Sequence, residues 1–421
     1  MLISNRIFYK QETMMEYALN RGKESPEEVI VWVSDLHLGS GLYLPDGSKD
    51  ILEEFEHDYE FSRFISTILS RFQNIPKVRL KLGGDIFDSQ SVFFHGRNYD
   101  MPYEAVHRYK MKKIIRGHTR VFDSLSRFLE SPGRTVDIFI GNHDFFLEWA
   151  GVQKMVVLRI AKNCPEKVRF LYSEDHQGVH YFHGNIEPHT VTPENKYLTT
   201  RYGVKLKRPL LNYPYGTFLT VDLANRLKLK NPLVGRLRAN GLIWVESALR
   251  DWYFGIFALA LYVWVFIHNR FFAFWDLRKK ASFATTIKIL LWTMTGYDLK
   301  EYARRIFENR PEIKVVVCGH DHEAMRVTIS RGPKSGTYIN SGTWTRCYDK
   351  AEEPEFYSWN SFRSLERPFR NIKRKLRRPK LVSQTKLTFV LVEHFSDGSL
   401  NARLMEFKPY SSFNKQIREL I

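Results

Sequence analysis

Apolar residues along the chain gather in short runs that each end in a polar cluster. The first, Glu28-Val29-Ile30-Val31-Trp32-Val33, predicts a buried strand running into Asp35 and His37. The run KVRLKLGGDIFD closes at Asp85 and Asp88, and TVDIFIGNHD closes at Asn142, His143 and Asp144. A shorter run, GVHYFHGN, ends at His183, and IKVVVCGHDH ends at His320 and His322. Between the first three runs, YEFSRFISTILSRF and RVFDSLSRFLE read as helices. The local order is therefore strand, helix, strand, as in layered α/β domains, whose ligand sites form beyond the C-terminal ends of the strands. Further on, KLTFVLVEHF and LNARLMEF flank Ser396-Asp397-Gly398-Ser399 and predict a β-hairpin that completes a sheet.

The 137 positions between His183 and His320 differ in composition from the rest and read as an insertion. The chain then divides into a first core part (1–195), an insertion or cap (196–300) and a second core part (301–421) with a basic loop at 363–380 and the hairpin. The first half of the insertion is basic and carries Pro209, Pro214 and Pro232; the second holds the uncharged run Trp252 to Ile267. Its 16 residues would span about 24 Å as a helix, short of the roughly 30 Å hydrocarbon core of a bilayer. Aromatics occupy 11 of the 24 positions from Trp252 to Trp275, with Arg250, Arg270, Arg278, Lys279 and Lys280 alongside. That pattern predicts an element dipping into an anionic membrane leaflet; the alternatives are the core of a helical cap or an oligomer interface. Ile287 to Met294 would form the other side of such a groove. The nine Lys/Arg and one acid of residues 363–380 read as a polybasic contact to anionic lipid or nucleic acid, or as a solvated stretch.

Charge fits this picture without deciding it. Sixty-four Lys+Arg against 46 Asp+Glu give a net charge of +18, pointing to an anionic partner, and 43% hydrophobic residues among 421 exclude a disordered or fibrous chain. Three widely spaced cysteines suggest neither a disulfide framework nor a thiolate zinc site, so a reducing compartment is expected. The first twenty residues contain no unbroken apolar stretch of the secretory type, and the cytoplasm is the default expectation.

The polar residues at the strand ends include Asp35, His37, Asp85, Asn142, His183, His320 and His322, all oxygen or imidazole donors. Such a mixture suits Mn²⁺, with Fe or Zn²⁺ as alternatives. Seven donors exceed what one ion takes from protein, so two ions sharing a carboxylate are expected, with Asp85 as the bridge. A pair of ions about 3.5 to 4 Å apart can hold a hydroxide between them and clamp the attacking and leaving oxygens of a phosphoryl centre.

Taken in order, Asp35-Leu36-His37, Gly84-Asp85-Ile86-Phe87-Asp88, Gly141-Asn142-His143-Asp144, His183-Gly184 and Gly319-His320-Asp321-His322 resemble the signature of calcineurin-like metallophosphoesterases. The resemblance covers Val29 to about Trp344 without the insertion. It implies a four-layer αββα sandwich carrying a helical, partly apolar cap, and two divalent ions. The first would be held by Asp35, His37, Asp85 and His322, the second by Asp85, Asn142, His183 and His320. His143 matches the family histidine that stabilises the phosphorus centre or protonates the leaving oxygen, and Asp88 the acid that orients it. The plainer reading of Asp88 and Asp144 is that they cap turns, and Asp321 reads as a loop residue. Within the family, His183-Gly184-Asn185, the long insertion and Asn340-Ser341-Gly342-Thr343-Trp344 look most like the UDP-2,3-diacylglucosamine pyrophosphatase branch, which usually has arginine at the position of His143. That likeness implies manganese-dependent hydrolysis of a lipid-linked diphosphate by a cytoplasmic protein peripheral to the inner face of the membrane. The Asp85-Ile86-Phe87-Asp88 and Asn142-His143-Asp144 blocks also resemble the double-strand-break repair nucleases of the family, so nucleic acid is the rival substrate.

Overall fold

The computed structural model describes residues 25–98, 102–185, 197–201, 204–213, 216–217, 220–230, 252–268, 271, 298–331, 334–349, 382–384, 386–411 and 416–420. The basic stretch 363–380, the aromatics Phe272, Phe274 and Trp275, the apolar piece Ile287 to Met294 and the flanking Arg250, Arg270, Arg278, Lys279 and Lys280 lie outside the described residues.

Strands β1 (Glu28–Val33), β2 (Lys77–Leu82), β3 (Arg134–Phe139) and β4 (Val168–Leu171) pair in parallel, each neighbour with the next. Helices α1 (Asp58–Arg71), α2 (Glu104–Gly117), α3 (Thr119–Glu130) and α4 (Ala150–Ile160) fill the connections. The parallel set is extended beyond β1 by the antiparallel strands β14 (Leu387–His394), β15 (Leu400–Phe407) and β16 (Ile417–Glu419), giving seven strands. The hairpin expected around Asp397-Gly398 is β14–β15, with Gly398 at φ 75° in its turn. A second sheet has five strands: β5 (Ser173–His176), β6 (Val179–Phe182), β9 (Val315–Cys318), β11 (Lys334–Asn340) and β10 (Met325–Arg331), in that spatial order. Helix α7 (Leu299–Asn309) leads into β9, and β12 (Cys347–Asp349) pairs with β13 (Val382–Gln384) in a separate two-stranded sheet.

Three apolar clusters stack these pieces into four layers. Val29, Val31 and Val33 pack with Phe61, Phe64, Ile68, Phe122 and Phe128 of the helices. The alternate residues Ile30 and Trp32 face the other way, against Val179, Tyr181, Val315 and Val317 of the second sheet. The outer face of that sheet, with Phe182, Val316 and Tyr338, is covered by Leu299, Ala303, Ile306 and Phe307 of α7. Strand β1 is covered on both faces, which is why Val29 to Val33 read as an unbroken hydrophobic run. In α1 the stripe Phe61, Phe64, Ile65, Ile68 keeps helical spacing. Phe64 lies 4.9 Å from Phe389, 5.3 Å from Trp344 and 5.4 Å from Phe407 by ring centroids, tying the helix to the far end of the chain.

The layer between the sheets is not wholly apolar. Because Val78, Leu80 and Leu82 face the helices, Arg79 and Lys81 of β2 must point toward the second sheet. Lys81 is fully buried, with Nζ 3.0 Å from Asp137 of β3, and it also pairs with Glu174 of β5. Arg169 closes the same group by two bonds to Asp137, at 2.7 and 2.8 Å. Removing one member would leave a buried charge uncompensated, a loss of about 3 to 5 kcal/mol.

The inserted segment opens with a β-hairpin, β7 (Tyr197–Arg201) and β8 (Val204–Leu211), rather than with a helix. Leu211 and Tyr213 complete the helical core, and Tyr213 bonds His107 of α2, so this part of the insertion is built into the sandwich. A short helix, α5 (Asn225–Lys230), follows, and α6 (Trp252–Ile267) forms over the uncharged run. No helix among the described residues is long and apolar enough to cross a membrane. Several apolar side chains of α6 face outward, including Tyr253, Ile256, Leu259 and Trp264, and Leu259 is 63% exposed. Arg226 of α5 lies 5.1 Å over the ring of Trp264, a cation–π link from the apolar helix back to the body.

Candidate metal centre

All five polar clusters arrive at one edge of the sandwich, where the loops after β1, β2, β3, β6 and β9 meet. The backbone there is unusual. Asp35, His37, Asp85, His320 and His322 all adopt positive φ, between 50° and 78°, a region that non-glycine residues enter at a cost of about 1 to 3 kcal/mol each. These turns are held by bonds between loops: Asp35 N–H donates to Gly84 O at 3.0 Å, and His37 N–H to Asp85 O at 2.9 Å. Gly84 sits at φ 89°, and a Cβ there would lie 2.5 Å from the His183 ring; glycine is required both for the turn and for the approach of that imidazole.

Ligand atoms of three groups lie within 4.8 Å of one another: Asp35, His37 and His322; His37, Asp85 and His143; Asp85, His183 and His320. Asp85 belongs to two of them, with Oδ2 3.2 Å from His183 Nε2 and Oδ1 accepting the His143 N–H at 2.8 Å. His322 Nε2 is 3.3 Å from Asp35 Oδ1 and 3.1 Å from His37 Nε2. His183 donates from Nδ1 to Gly83 O at 2.9 Å, which leaves Nε2, beside Asp85, as the ring atom that a cation would take. Asn142 Oδ1 is buried without a hydrogen-bond partner, as expected of an amide oxygen held ready for a cation. The structure thus brings Asp35, His37, Asp85, His183, His320 and His322 together and sets Asn142 beside them.

Burial alone would raise the Asp85 carboxyl, but His183 and His143 hold it well below its ordinary range; in return His183, which burial would push down, is raised to about 10 by Asp85. A buried set of ionised carboxylates that draws protons onto neighbouring imidazoles is one that favours positive charge at this position, and divalent cations satisfy it by displacing those protons.

Asp88 does two things at once. It caps the turn after β2, accepting Gln90 N–H at 3.0 Å and Ser91 Oγ–H at 2.6 Å, and its Oδ1 lies 3.2 Å from His143 Nδ1. Despite burial, Asp88 and then Asp85 raise His143 to about 9. Asp144 is a brace: it accepts Ile86 N–H at 2.9 Å and Gly141 N–H at 2.6 Å, tying the loops of β2 and β3. Asp321 accepts from Asn340 Nδ2 at 2.5 Å. The segment Asn340 to Trp344 supports the first loop: Thr343 Oγ1 donates to Asp35 O at 2.7 Å, and Ser341 Oγ meets Ser34 Oγ at 2.7 Å.

Three residues around the centre carry no motif. Gln90 donates from Nε2 to Asn142 O at 2.8 Å, and Asn225 of α5 donates to Gln90 O at 2.9 Å, so the inserted helix is bonded to the loop that carries Asp88. Lys228, also of α5, is buried with Nζ 2.5 Å from Glu54 Oε1; both groups feel the charge of Asp88, and Lys228 acts on His143. Only the helical register of α5, which puts Asn225 and Lys228 three residues apart on one face, could have pointed to them.

No protein-family model matches the chain, and no curated protein is similar to it. Among solved structures the chain is similar to a dimetal phosphatase from Danio rerio, at 11% identity and a TM-score of 0.33, over 94% of this chain and 99% of that one. A likeness of that size carries no weight for function, which here rests on the chain's own side chains.

Proposed function

We propose that this protein is a phosphohydrolase that works with two divalent cations. Asp35, His37, Asp85 and His322 would hold the first and Asp85, Asn142, His183 and His320 the second, with Asp85 shared. The observation that carries the reading is the convergence of these donors, from five strand ends, around one buried carboxylate. When bound, the cations supply Lewis acidity toward a phosphoryl oxygen and an acidified water as nucleophile. The donor set of carboxylate, amide oxygen and imidazole favours Mn²⁺, with Fe or Zn²⁺ as the other candidates. His143, held by Asp88 through Nδ1, keeps a proton on its ring for the leaving oxygen. Lys228 adds a fixed cation beside His143 and Asp88, where it would meet a substrate phosphate.

The substrate class we infer is a lipid-like phosphodiester or diphosphate met at an anionic membrane surface, by a cytoplasmic protein peripheral to the membrane. Three features support it: the outward apolar side chains of α6, the bond network that joins α5 to the Asp88 loop, and the net charge of +18. A UDP-diacylglucosamine-type diphosphate is one member of that class, supported by motif likeness alone. Two measurements test the reading. Chelator-stripped protein should regain hydrolysis of an aryl phosphodiester on addition of Mn²⁺, and a metal-loaded sample without turnover of any phosphoester would remove it. Flotation with anionic vesicles should carry the protein at low salt; a protein left in solution, yet cutting single- or double-stranded DNA, would hand the substrate to the nuclease reading.

A further inference from the structure

We propose that Glu28, His176 and His394 form a separate transition-metal site that clips the two sheets together at the end of the sandwich away from the catalytic edge. Glu28 opens β1 and His394 closes β14, where the two are paired in register, while His176 ends β5 of the other sheet. Asp35 lies seven residues beyond Glu28, and extended chain of that length puts the two centres roughly 20 Å apart.

The strand alternation aims all three inward. Ile30 and Trp32 line the layer between the sheets, so Glu28 does too; Val390 and Val392 put His394 there, and His176 pairs with Val179, which faces the same layer. Their ligand atoms lie within 4.8 Å of one another. His176 Nε2 sits 2.6 Å from Glu28 Oε2, and the His176 and His394 rings meet edge to face at 5.4 Å. His394 is 4% exposed, and its Nε2 is buried without a hydrogen-bond partner. A buried imidazole nitrogen left unpaired is costly unless something uses its lone pair.

Two imidazoles and a carboxylate, with water as a fourth donor, form a tetrahedral set suited to Zn²⁺. Arg79 Nε forms an ion pair with Glu28 Oε1 at 2.7 Å, while Oε2 lies toward His176. The nearby cation Lys81 is already matched by Asp137 and Glu174. Zinc bonds of about 2.0 to 2.1 Å place ligand atoms about 3.3 Å apart, so closure asks for shifts of about 1 Å. His176, the partly exposed member, can supply most of that movement and the route of entry.

The test compares full-length wild type, His176→Ala and His394→Leu for zinc retained per chain after zinc loading and gel filtration, measured by plasma mass spectrometry. Wild type should hold one equivalent more than either variant, and His176→Ala should keep its Mn²⁺-dependent turnover. Equal zinc in all three chains overturns the site. If His394→Leu does not fold, His176→Ala decides alone, because loss of its ring removes a donor from the edge of the cluster.

Discussion

Among the described residues, two candidate metal-binding clusters of histidine and carboxylate lie at opposite ends of the sheets and are built in opposite ways. At the proposed metal centre the donors sit on loops, five of them in left-handed backbone held by bonds to neighbouring loops. At the far end Glu28, His176 and His394 sit on regular strands and point inward through strand alternation alone. Strained loops bring many donors to one point and leave them open to substrate; regular strands give three donors, two of them buried and His176 partly exposed. The first arrangement suits chemistry, the second stapling.

The sharpest break in this comparison is Asp85→Ala. It removes the carboxylate common to two donor groups and should lower metal-dependent turnover by roughly 10³-fold or more, while leaving the far cluster's zinc in place. Near-normal turnover would show that Asp85 is not shared. His143→Ala comes next: metal content should be unchanged and turnover slower by about 10² to 10⁴. If its turnover matched wild type, the ring would have no part in proton delivery, and Asp88 would keep only its turn.

The two clusters also differ in how far they can be read from the sequence. The donors of the proposed metal centre announce themselves because a strand that stops at a site must place its polar residues within a few positions of its end, as Asp35-Leu36-His37 and Asn142-His143 do. Strands β1 and β9 are equally legible, since both are covered on both faces and, Glu28 apart, are apolar. Glu28, His176 and His394 are separated by 148 and 218 positions and meet only through the stacking of the sheets. Lys81 is hidden in the same way: in KVRLKL it reads as an ordinary polar alternation, yet it is fully buried. The insertion carries helices α5 and α6 but opens with the β7–β8 hairpin, next to which Leu211 and Tyr213 join the core of the first sheet's helices.

A smaller effect separates the catalytic edge from its support. His118, fully buried before α3, bonds Asp58 Oδ1 and Glu53 Oε2, each at 3.1 Å, and Glu53 in turn holds the N–H groups of Gly39 and Gly41 just past His37. Burial would lower His118, but Asp58 and Glu53 raise it to about 9. A group raised above its unfolded value of about 6.5 stabilises fully below that pH and loses its contribution as pH rises through about 9, here up to about 3 kcal/mol. Thermal stability should therefore fall between about pH 6.5 and 9 in wild type, and His118→Gln should be less stable at pH 6 and flat across that window. A wild-type curve without that fall would mean that His118 is neutral in the fold.

The smallest expected effect is at Lys228, and it needs two variants. Lys228→Gln removes a cation from beside His143 and Asp88, and we expect about a tenfold rise in KM with kcat little changed, the worth of one hydrogen bond to a charged phosphate. The same substitution also strands Glu54, whose buried carboxylate would then sit unpaired near the metal ligands and could by itself repel an anionic substrate. Adding Glu54→Gln removes that charge. If Lys228 only neutralises Glu54, the double variant returns to wild-type KM; if Lys228 touches the substrate, the rise in KM survives. The second outcome would place the inserted helix α5 in substrate binding and make the insertion, rather than the sandwich, the part that selects which phosphate is cut.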